Sequence, residues 1–247
     1  MRPVSIIPVT GLPEVRAGDD LAALILEAGA GIEPGDVAVV AQKVVSKAEG
    51  RRFALADITP SAEAERLAGE CAKDPRLVEL VLRESSEIVR CKPGVLIARH
   101  RLGFVVANAA IDQSNVPGAD HALLLPVDPD ASAQRLAARF SAVAGGPVAV
   151  VINDSFGRPF REGTCGVAIG CAGLESLVDL RGGLDREGRV LQASVVAHAD
   201  EIAAAGSLVM GQAAESVPVA ILRGLSLGSQ AKPASALVRP REFDLFR

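Results

Sequence analysis

The chain has 247 residues, 49% hydrophobic and 23% charged, which supports one large domain or two small lobes with a real core and excludes a disordered chain. A formal net charge of −4, no Trp or Tyr and only seven Phe leave neither a basic surface nor a base-stacking platform, so nucleic acid is not expected as a partner. No apolar run approaches the roughly 18 residues of a membrane span, and the Pro-broken start Met1-Arg-Pro-Val-Ser-Ile-Ile-Pro8 does not read as a signal peptide, so no membrane is expected and a cytoplasmic location is.

In chain order, Val4 to Val9 reads as a strand and Gly11-Leu-Pro-Glu-Val15 as a turn. Asp19 or Asp20 caps a helix with Leu21, Leu24, Ile25 and Ala28 on its apolar face. After Pro34-Gly-Asp36, the β-branched run Asp36 to Val45 predicts a buried strand running into Lys47-Ala-Glu-Gly50. A helix starts at Pro60, capped by Ser61 or Thr59, and continues to about Glu84 with a break at Pro75. Short strands follow at Ile88 to Arg90, Val95 to Ala98, Phe104 to Ala107 and Leu123 to Leu125, then a helix over Asp130 to Ser141 and a strand over Val148 to Ile152. Leu177 to Val190 reads as a hairpin or loop, Ala197 to Ala213 as a helix, Val217 to Leu222 as a last strand and 228–247 as a polar tail. The elements lack a βαβ rhythm and predict an α+β fold of two interleaved lobes of mixed sheet and helices. Four cysteines without C-x-x-C spacing read as buried, reduced thiols, and three histidines do not suggest a His-rich metal site.

Walker A, G-x-G-x-x-G, G-x-S-x-G and H-E-x-x-H motifs are absent. Polar clusters stand instead at element ends. Gln42-Lys43-Val-Val-Ser46-Lys47-Ala-Glu-Gly50 places two lysines on one side of an extended strand; two ammonium groups and a hydroxyl suit a phosphate or a carboxylate, and a solvated strand end is the alternative. In Asn108-Ala-Ala-Ile-Asp112-Gln-Ser-Asn115-Val-Pro-Gly118, Asp112 is a hard oxygen donor and Asn115 both donates and accepts, or the stretch is an Asx turn. Asn153-Asp154-Ser155-Phe-Gly-Arg158-Pro-Phe-Arg161-Glu-Gly163 sets an acid beside a hydroxyl, as in Mg²⁺-holding nucleotide sites, with two arginines able to clamp oxyanions. Leu208-Val-Met210-Gly-Gln212-Ala-Ala-Glu215-Ser-Val-Pro218 offers backbone amides near Gly211 to a phosphate, or only a helix C-cap. The small residues Gly166-Val-Ala-Ile-Gly170-Cys-Ala-Gly173 allow close approach of a ligand or tight packing of two chains. Two acidic strand ends, each with adjoining amides or hydroxyls, favour a functional reading.

Gly11-Leu-Pro-Glu14, Val40-Ala-Gln-Lys-Val-Val-Ser-Lys-Ala-Glu-Gly50, Ala107-Asn-Ala-Ala-Ile-Asp-Gln-Ser-Asn-Val116, Asn153-Asp-Ser-Phe-Gly-Arg-Pro-Phe-Arg161 and Leu208-Val-Met-Gly-Gln212, in that order, resemble the coenzyme F-420-0:gamma-glutamyl ligase family over nearly the whole chain. The resemblance implies a GTP-dependent ligase that adds L-glutamate, one or more and γ-linked, to the deazaflavin precursor F-420-0. It implies two divalent ions, Mg²⁺ or Mn²⁺, aided by K⁺, and an intertwined homodimer. It assigns a ligase domain to 1–227 and leaves 228–247 as a tail. Nucleotide contacts would fall on Leu12, Pro13, Glu14, Val15, Val45, Ser46, Lys47, Asn115 and the segment Met210, Gly211, Gln212, Ala213, Ala214, Glu215, Ser216. Metal ligands would be Asp112, Asp154, Ser155 and Gln212, and Lys47, Asp112 and Asp154 would carry catalysis. Ala110 and Ser216 stand where that family commonly has Gly, Ser155 where Thr also occurs, and Phe160 where Trp is frequent. Rival readings are a metal-dependent nucleotide phosphohydrolase, a same-fold ligase on another carboxylic acid, and a binding module without catalysis.

Overall fold

The computed structural model describes residues 3–114, 120–228 and 230–244. The chain begins with β1 (Ser5–Val9) and α1 (Leu21–Glu27), where the Asp20 carboxylate accepts the Ala23 amide and Leu21, Ala22 and Ile25 turn inward. The expected strand over 36–45 is shorter: β2 (Val37–Ala41) ends at Ala41, and α2 (Gln42–Ala48) follows at once. Val44 and Val45 reach the apolar core from helical backbone, and that burial overrides their β-propensity.

After β3 (Arg52–Ala54), the helical stretch through Glu84 divides at Pro75, as expected, into two helices. In α3 (Ala62–Cys71) the Ser61 hydroxyl, not Thr59, caps by accepting the Ala64 amide, and Ala72 in a left-handed conformation closes the helix. Pro75 opens α4 (Pro75–Glu84) behind the cap Asp74, because proline at the first helical position forfeits only an amide that has no intrahelical partner. Then come β4 (Ser85–Lys92), β5 (Val95–His100), β6 (Val105–Ala107), β7 (His121–Leu123) and α5 (Pro129–Ala144). β8 (Ala149–Arg158) and β9 (Arg161–Ala172) form a long hairpin. The chain closes with the ribbon β10 (Val178–Asp179) and β11 (Val195–Val196), α6 (His198–Met210) and β12 (Val219–Arg223).

The architecture is mixed α/β with several sheets. A five-stranded sheet runs β1-β12-β2-β8-β9, and β2 and β8 are its parallel pair. One face carries Val40, Val150 and Ile152 beneath α1 and α5; the other carries Val39, Val151 and Leu222 beneath α6. Cover on both faces is why 37–40 and 148–152 are unbroken apolar runs. A second core, built on Leu67, Val78, Leu80, Leu96 and Leu124, holds α3, α4, the sheet β4-β5-β6 and the ribbon β3-β7. This second lobe is inserted into the first, entering near Arg51 and leaving near Leu125.

The glycine-rich stretch serves packing within the chain. An added Cβ on Gly166 would stand 2.7 Å from the Ala203 carbonyl of α6, and one on Gly170 would overlap the Pro129 carbonyl of α5. A β-bulge at Ile152/Asn153 lets these two glycines meet helices on opposite faces. Gly170→Ala is therefore expected to cost roughly 1–3 kcal/mol and several degrees of melting temperature; an unchanged melt would rule out this packing role.

Residues 230–244 lie against the body rather than free of it. Asp130 accepts the Ala234 amide at 2.8 Å, Ser176 Oγ donates to the Pro233 carbonyl at 2.7 Å, and Lys232 pairs with Glu175 at 2.8 Å. Cys71 and Cys171 are buried free thiols, whereas Cys91 and Cys165 are only half-buried. Among the described residues no helix is long and apolar enough to cross a membrane.

Candidate active site

Ala41, the last residue of β2, pairs with Asn153, and β8 runs on to Arg158. From Asp154 onward the edge of β8 that faced β2 is uncovered. A cavity of about 580 Å³ opens there, at the carboxyl end of the parallel pair, where ligands bind in open sheets of this kind. Its walls are the segment 12–15, the outer face of α2, Asp154 with Ser155, and the segment 210–218.

Asp112 reaches this place from the second lobe. Asn108, Ala109 and Ala110 take φ of 51°, 51° and 57°, a left-handed turn that costs roughly 1–2 kcal/mol per residue. Burial of Ala109 and the reciprocal backbone bonds between Asp112 and Leu123 hold it. Ala110 thus keeps a conformation that glycine adopts freely. Lys43 Nζ lies 2.6 Å from Asp112 Oδ2, while Asp112 Oδ1 accepts the Ser114 amide and hydroxyl at 2.7 Å each. Burial opposes charge on Asp112, but the Lys43 and Ser114 bonds outweigh it and hold the carboxyl below its ordinary value.

Asp154 behaves in the opposite way. Burial pushes its carboxyl up to about 6, against the stabilising Ser155 amide bond, and the neighbouring Asp112 charge pushes in the same direction as burial. Beside it Ser155 Oγ donates to Gln212 Oε1 at 2.8 Å. Of the four residues expected as metal ligands, Asp154, Ser155 and Gln212 line the cavity, with Ser155 and Gln212 in contact, whereas Asp112 is not among the lining residues and approaches through its ion pair with Lys43, near enough for its charge to act on Asp154. Among the described residues no three His, Cys, Asp or Glu side chains gather as metal ligands. This set is instead all oxygen, the donor type that suits Mg²⁺ or Mn²⁺, and Lys43 supplies the countercharge in the protein alone.

Lys47 Nζ pairs with Glu14 Oε1 at 2.7 Å and ties the segment 12–15 to α2. Lys43 and Lys47 share a face because they lie four apart on a helix, not because they alternate along a strand. α6 ends at Gly211 (φ 70°), and in the loop beyond it the Glu215 carboxylate accepts the Ala213 amide at 2.7 Å. The Ala213 amide, with those of Glu215 and Gln212, lowers the Glu215 pKa, so this loop already gathers backbone N–H groups about an anion. Ser216 holds φ of 55° there, another left-handed position without glycine.

Leu12, Pro13, Glu14, Val15, Lys47 and the segment Met210 to Ser216 all line the cavity. Val45 and Ser46 do not. Both are buried on the inner face of α2, Val45 in the core and Ser46 donating to Gln42 Oε1 at 2.9 Å, so neither side chain is available to a nucleotide. Asn115 lies outside the described residues. Arg158 and Arg161 stand farther along the hairpin and do not line the cavity. Lys43 was legible only as one of two spaced lysines; its pairing with Asp112 depends on how the second lobe docks.

A cleft that combines repelling carboxylates, ammonium groups and an amide loop is equipment for handling a polyanion with its cations, as enzymes acting on phosphorylated substrates require. Comparison with known proteins defines the class further. The F420-0:Gamma-glutamyl ligase family model matches residues 11–224. The chain is 48% identical over 250 residues to the Coenzyme F420:L-glutamate ligase of Methanothermobacter thermautotrophicus, covering 99% of each protein. It is 47% identical to the protein of that name from Methanopyrus kandleri, covering 97% of this chain and 96% of that one. The counterpart from Natronomonas pharaonis is 45% identical over 98% of this chain and 94% of its own. The chain belongs to the F420-0:gamma-glutamyl ligase family.

Proposed function

We propose that this protein ligates L-glutamate to F420-0 at the expense of GTP. The observation that carries the reading is a cleft where Asp154 and Ser155 stand with Lys43, Lys47 and the 210–216 loop, and where Asp112 pairs with Lys43 at its margin. Amide formation from a carboxylate and an amine is uphill in water, so the carboxylate must be activated. The acceptor carboxylate attacks the γ-phosphorus of GTP, GDP leaves, and an acyl phosphate remains. The glutamate amine, having given a proton to solvent, attacks the acyl carbon and inorganic phosphate leaves. A second round on the γ-carboxylate of the first glutamate gives a γ-linked pair.

Asp112, Asp154, Ser155 and Gln212 would hold two divalent ions, Mg²⁺ or Mn²⁺, which when bound neutralise the phosphate oxygens. Lys47, released from Glu14, adds positive charge at the transferring phosphoryl group. The 210–216 loop donates its amides to the nucleotide phosphates once Glu215 withdraws, and Asn115 completes the nucleotide contacts. The active unit is a homodimer. The β8–β9 hairpin supports this, because it extends past β2 and carries Phe160, 91% exposed, at its tip.

The test is to mix the protein with GTP, glutamate, F420-0, Mn²⁺ and K⁺ and follow products by mass. A glutamate adduct formed with equimolar GDP is the expected result. GTP hydrolysis that needs neither acceptor nor amine would replace this reading with a phosphohydrolase, and an adduct only on another acid would replace the acceptor.

A further inference from the structure

A second cavity, of about 330 Å³, lies beyond the acid pair, between β6, the β8–β9 hairpin and the C-terminal segment. Phe104, Val105, Phe156 and Val167 supply its apolar wall, and Arg99 and Arg239 its cations. Phe104 and Phe156 meet edge to face, with centroids 5.7 Å apart and planes at 66°. In a chain with seven Phe and no Tyr or Trp, two of the scarce aromatic rings flank this opening. Arg99 is mostly enclosed, and its guanidinium faces two carboxylates, Glu87 at 3.9 Å and Asp244 at 3.8 Å.

Two stretches of chain join this cavity to the acid pair. On β8, Asp154 and Phe156 are two residues apart, so they share a face and stand roughly 7 Å apart along the strand. Val167 pairs directly with Asp154 across the hairpin. On the other wall Phe104 leads through β6 into the left-handed turn that delivers Asp112. A molecule reacting at the acid pair and extending along β8 reaches the aromatic wall with its far end. The volume is at the low end of small-molecule pockets, about 300–1,000 Å³, enough for a ring system and not for a whole coenzyme.

The geometry points to this cavity as the subsite for the aromatic ring system of the acceptor. The ring packs against the Phe104–Phe156 pair, and the reacting carboxylate lies at Asp154. The inference rests on the ligase reading above, and it adds where the acceptor is recognised and what discriminates it from a small aliphatic acid.

Binding of F420-0 by equilibrium dialysis, together with KM for each substrate, tests it. Phe156→Ala is expected to weaken F420-0 binding and raise its KM by roughly tenfold or more, with the KM for GTP and for glutamate moved by less than about twofold. Val105→Glu, at the exposed rim, gives the same pattern by placing a charge on the apolar wall, and it serves if Phe156→Ala fails to bind GTP and so is not folded. An unchanged F420-0 KM in the folded variant, or an equal rise for GTP, overturns the subsite. The two readings separate cleanly. Adduct formation by the parent with F420-0 recognition indifferent to both variants leaves the ligase and removes the subsite, whereas variant-sensitive F420-0 binding without any adduct leaves the subsite and removes the ligase.

Discussion

Asp112→Asn and Asp154→Asn are each expected to lower turnover by roughly a hundredfold to a thousandfold while the protein stays folded, and Asp154→Asn is expected to melt higher than its parent in the absence of metal. The loss of rate follows from removing one of two anionic ligands on which phosphate charge neutralisation depends. The gain in stability follows from the site itself. Asp154 is held in poorly solvated surroundings with the Asp112 charge nearby, and a neutral amide of the same shape relieves both penalties. The gain is on the order of 1–2 kcal/mol, the stability that an active site gives up for function. Asp112→Asn brings no such gain, because it strands the Lys43 ammonium that Asp112 now pairs at 2.6 Å. Adduct formation by mass and metal-free thermal melts measure the two effects. Mn²⁺ is expected to raise the melting temperature of the parent and to do so far less in either variant. Parental rates in both variants would remove the assignment of the acid pair.

Glu84→Ala is expected to destabilise by about 3–5 kcal/mol, near 10 °C of melting temperature for a chain of this size. Glu84, at the end of α4, has a side chain only 10% exposed. Arg51 Nη2 lies 2.8 Å from it, and His100 Nε2 and Arg101 Nε 3.3 Å. Arg51 also donates from Nε to the Leu125 carbonyl at 2.9 Å, so this cluster pins together the two points where the second lobe joins the first. Truncation leaves two guanidinium groups around an uncompensated hole.

The same cluster sets a pH dependence. Burial alone would raise the Glu84 pKa, but the His100 and Arg51 bonds and the Arg51 and Arg101 charges hold it down at about 2, against an ordinary value of 4.5. A carboxyl depressed on folding contributes stability that is full above about 4.5 and is lost as pH falls toward about 2, in all on the order of 3 kcal/mol. Denaturant midpoints across that window should fall more steeply for the parent than for Glu84→Gln; parallel curves would show that another group governs acid unfolding.

Much of the frame was legible in residue order. Asp20, Ser61 and Asp74 announce helix starts because a short oxygen-bearing side chain satisfies amides that no helical carbonyl reaches. The runs 37–40 and 148–152 announce strands covered on both faces. The stretch carrying Lys43 and Lys47 reads as strand but is helix, since Val44 and Val45 fit a strand locally and only the core beneath α1 draws them into a helix. Val45 and Ser46 drop out of the cleft for the same reason, while Lys43 and Lys47 stay on its surface.

Sequence by itself determined which segments could bury an apolar face, where helices begin, and that polar groups able to bind oxyanions and cations follow particular strands. These are properties of near neighbours, governed by periodicity, capping and side-chain chemistry. Tertiary structure decided that β2 stops one residue short of Asp154, opening the strand edge, and that the inserted lobe swings Asp112 onto Lys43. Those meetings are set by packing between residues distant in the chain, whose free energy belongs to the closed core and to no local stretch of it.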